Sequence, residues 1–311
     1  MRVLLALGGN AMTAPDGAAR PDDQRRAIEA AMESVAGLIE AKHEVVITHG
    51  NGPQVGNLLV KNELAAKVVP PVPLDWCGAQ TQGTIGFTII NALEASLARR
   101  GISRHVAALV SRTLVDRLDP AFTTPTKPVG RYLPQAEAQA MIGFGQQWED
   151  RGEKGWRRVV ASPSPQEVLD APAMLSLLAN SFVVVASGGG GIPVIRKDDG
   201  TVQGVEAVID KDLTAALLAQ QVRADVLVIA TDVPNAIIGW GTPEAREVGT
   251  VRLAEMEQIA AEGHFASGSM GPKVEAALRF VRNGGPKSVI TALDNITQAV
   301  TANAGTVILP N

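Results

Sequence analysis

Cysteine is almost absent from this chain: its 311 residues hold one, Cys77. A single thiol cannot close an internal disulfide, and structural zinc frameworks need several ligands. Histidine is scarce as well, with four residues spread over positions 43, 49, 105 and 264, so no transition-metal site is expected. Positive charge is not in excess. The formal net charge is −4, which excludes bulk attraction to nucleic acid or to an anionic membrane surface. No apolar run reaches the roughly 18 residues that a membrane-spanning helix needs. The apolar opening, Met1 to Leu7, gives way at once to Gly8-Gly9-Asn10, too short for a signal peptide. These absences predict a cytoplasmic protein with neither a membrane nor a nucleic-acid partner. What is present is a large apolar fraction, 46% against 19% charged residues, enough to build a substantial core.

Short β-like runs alternate with helical patterns along the chain. Residues 3–7, 45–48, 106–110, 182–186, 226–230 and 288–291 read as strands. Helices are predicted over 21–41, 53–66, 76–99, 210–222 and 269–283. In the first helix, Ile28, Ala31, Met32, Val35 and Ile39 recur at helical spacing. Several strands are solidly apolar rather than alternating, which suits a parallel sheet covered on both faces. The predicted class is α/β, in one domain over residues 1–311. Residues 120–160 break the rhythm with Pro120, Pro125, Pro128 and Pro134, followed by the charged run Trp148 to Lys154. That segment reads as an inserted lid subdomain.

Five polar or glycine-rich turns punctuate the pattern: Gly8-Gly9-Asn10, Gly50-Asn51-Gly52, Gly188 to Gly191, Asp210-Lys211-Asp212, and Ser267 to Lys273. Glycine lets backbone approach an anion closely, and helix N-termini offer free N–H groups. In an open parallel sheet such turns gather at the carboxyl ends of the strands, where ligands bind. A tight strand-to-helix connection explains any one of them; several together point to an anion site. Two familiar phosphate fingerprints fail. The run at 188–191 continues into Ile192-Pro193 instead of the Lys-Ser/Thr of a P-loop. Gly50, Gly52 and Gly56 with Asp75 partly fit a dinucleotide fold, but Pro70, Pro71 and Pro73 cannot stand in the buried strand it requires.

Lys127, Lys211 and Lys273 each stand beside one of these special turns. A solvated surface charge is the ordinary fate of a lysine. Lys211 and Lys273, however, open helices, where a cation opposes the helix dipole and a nearby anion would offset the penalty. Asp210 can cap its helix, hold the lysines or bind magnesium. No nucleophile–base pair emerges. Ser269 reads as a helix cap, and His49 and His264 as packing or hydrogen-bonding groups. That absence suits phosphoryl transfer, which rests on positioning and charge neutralisation. Of Arg157 and Arg158, adjacent on a predicted strand, at most one can face a site.

Taken together, ALGGNA (6–11), THGNGPQVG (48–56), DWCGAQTQGTIG (75–86), DPAFTTPTKPVG (119–130), GWRRVVASPSP (155–165), GGGGIPV (188–194), EAVIDKDLTAALLA (206–219) and FASGSMGPKVEAALRF (265–280) run in order over nearly the whole chain. The set resembles the carbamate kinases of the amino-acid-kinase superfamily. The resemblance implies a three-layer α/β/α sandwich around a mainly parallel sheet of about eight strands, with a protruding lid subdomain at 120–160. It implies a homodimer, and reversible phosphoryl transfer between carbamoyl phosphate and ADP within arginine metabolism. The acceptor would lie in the N-terminal half and the nucleotide in the C-terminal half, with Mg²⁺ carried on the ATP or ADP phosphates. It assigns catalysis to Lys127, Asp210, Lys211 and Lys273. Substrate binding falls to Gly8, Gly9, Asn10, Gly50, Asn51, Gly52, Gly189 and Gly190, and nucleotide binding to Asp232, Ser267, Met270 and Lys273. Two positions depart from the family pattern: Ala161 and Arg131 stand where proline is common. A sister kinase for another small acid is the alternative enzyme reading. A metabolite sensor that has lost catalysis is the non-enzyme reading, and the intact Lys127, Asp210, Lys211 and Lys273 set argues against it.

Overall fold

The computed structural model describes residues 1–9, 20–265, 270–302 and 304–311. An eight-stranded sheet runs through the centre. Its order is Thr250–Arg252, Thr306–Leu309, Ser288–Ala292, Val226–Thr231, Arg2–Leu7, Glu44–His49, Val183–Val185 and Val106–Ala108. The six strands from Ser288–Ala292 to Val106–Ala108 are mutually parallel. Thr306–Leu309 pairs antiparallel with Ser288–Ala292 and carries Thr250–Arg252 beside it.

The apolar strand sequences follow from burial on both faces, since successive side chains alternate sides. Leu4, Ala6, Val46, Val184, Leu227, Ile229, Ile290 and Ile308 face one layer. That layer includes the helices Ala171–Ala179, Lys211–Gln221, Leu253–Ala261 and Met270–Arg282. Val3, Leu5, Leu7, Val45, Ile47, Val183, Val185, Val228 and Val289 face the other. There the helices Pro21–Glu40, Leu74–Arg99 and Ile296–Thr301 cover them. The three-layer α/β/α architecture is therefore as anticipated. The five apolar residues singled out in the first helix, Ile28, Ala31, Met32, Val35 and Ile39, are all buried.

The predicted strand at 106–110 ends at Ala108, and Arg112–Val115 begins a second sheet. The four strands of that sheet run in the order Val202–Gly204, Ile192–Arg196, Arg112–Val115, Pro165–Val168. Gln82 fixes the crossing point: its side chain accepts from Ser111 N at 2.8 Å and donates to Ser111 O at 3.2 Å and Gly188 O at 3.0 Å. The 120–160 segment forms a three-stranded sheet of Lys127–Leu133, Trp156–Val160 and Trp148–Asp150. Leu133, Ala138, Met141 and Trp148 give it a small core of its own. Among the described residues, no helix is long and apolar enough to cross a membrane.

Candidate active site

Parallel strands deliver their carboxyl ends to one side, and there the turns after Leu7, His49 and Val185 meet the helix that begins at Lys211. Between them and the start of strand Lys127–Leu133 lies a cleft of about 710 Å³. Gly9, Gly50, Asn51, Gly52, Gly189, Lys127, Asp210, Lys211 and Lys273 all line it. Turns far apart in sequence are in contact here, Gly9 with Gly50, Asn51 with Gly189 and Gly50 with Lys211. A Cβ built on Gly50 would lie 3.5 Å from both Gly9 Cα and the Lys211 stem. Gly189 has φ +68°, and a Cβ there would lie 2.1 Å from Asn51 Nδ2. Only glycine satisfies both conditions, so Gly189 and Asn51 are fitted to one another. Asn51 Nδ2 also donates to Thr81 Oγ1 at 2.9 Å, which leaves little freedom for the amide. Gly190, beside them, places its carbonyl where Thr113 Oγ1 (2.9 Å) and Thr214 Oγ1 (3.1 Å) donate to it. Gly8 closes the first turn with an N–H to Ala230 O bond of 3.0 Å.

The centre of charge is Asp212, which is 3% exposed. Lys211 Nζ donates to its Oδ1 at 2.6 Å and Lys273 Nζ to its Oδ2 at 3.3 Å. One carboxylate thus fixes two ammonium groups that come from two different helices. Asp210 does something else: its Oδ1 accepts from the N–H groups of Asp212 (2.9 Å) and Leu213 (3.1 Å), capping helix Lys211–Gln221. The lysine-holding role that the sequence suggested for Asp210 is performed in the structure by Asp212. The spacing explains this: residue 210 is the N-cap, whereas 212 projects from the first turn towards helix Met270–Arg282. The dipole penalty of two lysines at helix starts is offset inside the protein by this buried carboxylate.

The cleft is locally cationic although the chain is acidic. Lys127, Lys211, Lys273 and Arg157 face two carboxylates, Asp210 and Asp212, a surplus of two positive charges. Of the adjacent arginines, Arg157 is the one that reaches the cleft, with its guanidinium carbon 4.8 Å from the centre of the Tyr132 ring. Arg158 is buried and ion-paired with Glu206, whose other oxygen accepts from Leu74 N at 2.7 Å. Burial pulls the Arg158 pKa below its usual value, and Glu206 partly opposes that shift.

His49 is buried beside the second turn, and its Nδ1 lies 2.8 Å from Gly50 O. Burial brings its pKa down to about 4, so the ring is neutral at pH 7 and serves packing, as its position suggested. Among the described residues, no three His, Cys, Asp or Glu side chains converge as metal ligands. Asp232 stands at the end of strand Val226–Thr231 and accepts from Thr231 Oγ1 at 3.0 Å; it does not line this cleft, nor does Met270, which heads its helix. Asn10 and Ser267 lie outside the described residues, as does Ser269.

Comparisons with known proteins agree with this geometry. Residues 1–292 match the amino acid kinase family. A carbamate kinase of Thermococcus kodakarensis is 44% identical over 311 residues, 98% of each chain. One of Trichomonas vaginalis is 42% identical over the full length of both. The solved structure of carbamate kinase from Giardia lamblia bound to AMP-PNP superposes with a TM-score of 0.95 at 39% identity, covering 100% of this chain and 98% of that one. With the family match over residues 1–292, identities of 42–44% along the whole chain and a superposition at TM-score 0.95, the chain belongs to the amino acid kinase family and, within it, to the carbamate kinases.

Proposed function

We propose that this protein moves a phosphoryl group between carbamoyl phosphate and ADP, giving carbamate and ATP, and that the cleft described above is where it does so. The observation that carries this reading is the pair of ammonium groups held by Asp212 in a cleft with two surplus positive charges. In the forward step a terminal β-phosphate oxygen of ADP attacks phosphorus. The bond between phosphorus and the carboxyl oxygen breaks, and carbamate leaves with the electron pair. Both the attacking and the leaving oxygens are anionic, so no general base is required. Lys211 and Lys273 neutralise charge on the equatorial oxygens of the transferring group, where fixed cations act most strongly on the transition state.

The acceptor half is read as a hydrogen-bonding pocket for a small planar anion. Gly9, Asn51, Gly52 and Gly189 line it, and the Asn51 amide supplies a donor. Gly8, Gly50 and Gly190 spend their N–H groups on Ala230 O, Leu7 O and Ser187 O and so shape the turns; Asn10 is assigned with them from the sequence alone. Lys127, at the start of the lid strand, brings a charge to the same cleft. The nucleotide would use the C-terminal half, with Asp232, Ser267 and Met270 as its candidate contacts beside Lys273. Both Asp212 oxygens and Asp210 Oδ1 are already bonded within the protein. This suits a Mg²⁺ ion carried on the nucleotide phosphates, where it would neutralise charge on the β- and γ-oxygens. Residues 120–160 act as a lid that excludes water from the labile acyl phosphate. A homodimer and a cytoplasmic location complete the reading.

The test is formation of ATP from ADP and carbamoyl phosphate in a coupled assay, set beside acetyl phosphate and beside phosphorylation of glutamate or aspartate by ATP. Carbamoyl phosphate should be much the best substrate, because a site built on hydrogen bonds discriminates strongly against analogues that lack the partner group. A higher kcat/KM for an amino-acid acceptor would replace this function with that of a sister kinase.

A further inference from the structure

The lid strand is held to the body at one point that the ladder does not explain. In the pairing of Lys127–Leu133 with Trp156–Val160, Val129 faces Arg158 and Tyr132 faces Arg157, so Gly130 and Arg131 form a bulge with no partner opposite. Gly130 has φ +67°, available to glycine at low cost. A Cβ on it would lie 3.4 Å from Leu59 Cδ1 and 3.8 Å from Glu63 Oε1, so the bulge rests on helix Gly52–Ala65. There Arg131 Nε donates to Glu63 Oε2 at 2.7 Å. The Glu63 side chain is 6% exposed and that of Arg131 44%. Glu137, within the lid, approaches Arg131 at 3.8 Å. Arg158, buried on the neighbouring strand, adds a second positive charge near Glu63.

Both partners lie on elements whose other ends form the cleft. The four residues preceding Arg131, Lys127 to Gly130, line it, and so do Gly52, Pro53, Val55 and Gly56 at the start of Glu63's helix. We propose that the Arg131–Glu63 ion pair is a latch that holds Lys127 over the acceptor turns, making Arg131 a positioning residue. The latch replaces the ladder bonds that the bulge gives up, and it does so where the carboxylate is sheltered from water and salt. Releasing it leaves the chemistry intact and lowers the fraction of molecules with Lys127 in place. Apparent affinity falls in proportion to that fraction. The inference rests on the phosphoryl-transfer reading for its kinetic consequence and on geometry alone for its mechanical one.

The experiment uses the full chain with Arg131→Ala, Arg131→Lys, Glu63→Gln and the Arg131→Ala/Glu63→Gln double variant. Amide exchange across 127–133, measured without substrate, should accelerate about tenfold in Arg131→Ala, because local opening becomes easier. KM for carbamoyl phosphate should rise about fivefold with kcat within about twofold, the pattern of a smaller competent fraction. Arg131→Lys should recover most of both effects. The double variant should be no worse than the worse single one, since the two side chains act through each other. Faster exchange with unchanged KM would overturn the positioning role, and changed KM with unchanged exchange would make Arg131 a direct substrate contact. Additive single effects would overturn the latch. If the parent enzyme fails to use carbamoyl phosphate, the functional reading falls while the exchange result still decides the latch.

Discussion

Replacing Asp212 by asparagine separates charge from shape at the centre of the cleft. The side chain is 4% exposed and receives one ammonium at 2.6 Å and another at 3.3 Å. Asparagine keeps the volume but offers one acceptor and no charge. Breaking a buried pair from one side costs roughly 3–5 kcal/mol because the remaining charge is left uncompensated. The lower end applies here, about 3 kcal/mol, since Lys211 is 23% exposed and can regain water. The kinetic effect has a different origin. Both lysines lose the anchor that orients them, and a displacement of about 1 Å can reduce turnover by about 10²-fold. Ground-state anion binding should move the opposite way, because losing one carboxylate raises the cleft's surplus from two positive charges to three. Asp212→Asn should therefore bind inorganic phosphate more tightly than the parent while kcat falls about 10²-fold. Titration calorimetry and the coupled ATP assay measure the two quantities, and denaturant melts measure stability. A kcat within twofold of the parent, or phosphate affinity that falls together with kcat, would refute the reasoning. Asp210→Asn is the control for helix capping: asparagine caps as well as aspartate, so stability should change by less than about 1 kcal/mol.

Lys211→Ala should lower kcat by roughly 10²-fold or more with the fold intact by circular dichroism, since its contact matters chiefly in the transition state. His49 should make stability depend on pH. Its folded pKa of about 4 lies below the unfolded value of about 6.5, so the unfolded chain takes up the proton first. The contribution is present above pH 6.5 and is lost as pH falls towards 4, about 3 kcal/mol in all. Urea midpoints between pH 7 and pH 4.5 should fall less steeply in His49→Gln, and identical slopes would count against the assignment. The lid reading predicts slower amide exchange across 120–160 when ADP and a non-reacting acceptor analogue are both present; unchanged protection there would remove the lid.

The α/β class and the main strand–helix succession were legible because they are local. Apolar runs such as Val226 to Ala230 and the helical spacing of Ile28, Met32, Val35 and Ile39 carry their own periodicity. The turns that line the cleft could be singled out because several glycine clusters follow strands, which a tight strand-to-helix connection explains one at a time but not together. The reversed edge strand Thr306–Leu309 was not legible, since direction is set by the sheet edge available when the chain arrives and not by the strand's composition. The second sheet escaped for a related reason: Arg112–Val115, Pro165–Val168 and Val202–Gly204 are short and polar, and are strands only because Ile192–Arg196 and its neighbours lie beside them.

The same division runs through the site. The sequence by itself determined which side chains could carry positive charge to an anion: Lys127, Lys211 and Lys273 beside turns that only glycine or a helix cap could form. Tertiary structure alone decided which carboxylate holds Lys211 and Lys273. Asp210 and Asp212 flank the same lysine, and nothing in DKD ranks one above the other. The choice falls on Asp212 because helix Met270–Arg282 packs beside helix Lys211–Gln221 and brings Lys273 to within 3.3 Å of one of its oxygens. A contact between residues 61 positions apart depends on helix packing, and packing is a property of the assembled core that no local pattern contains.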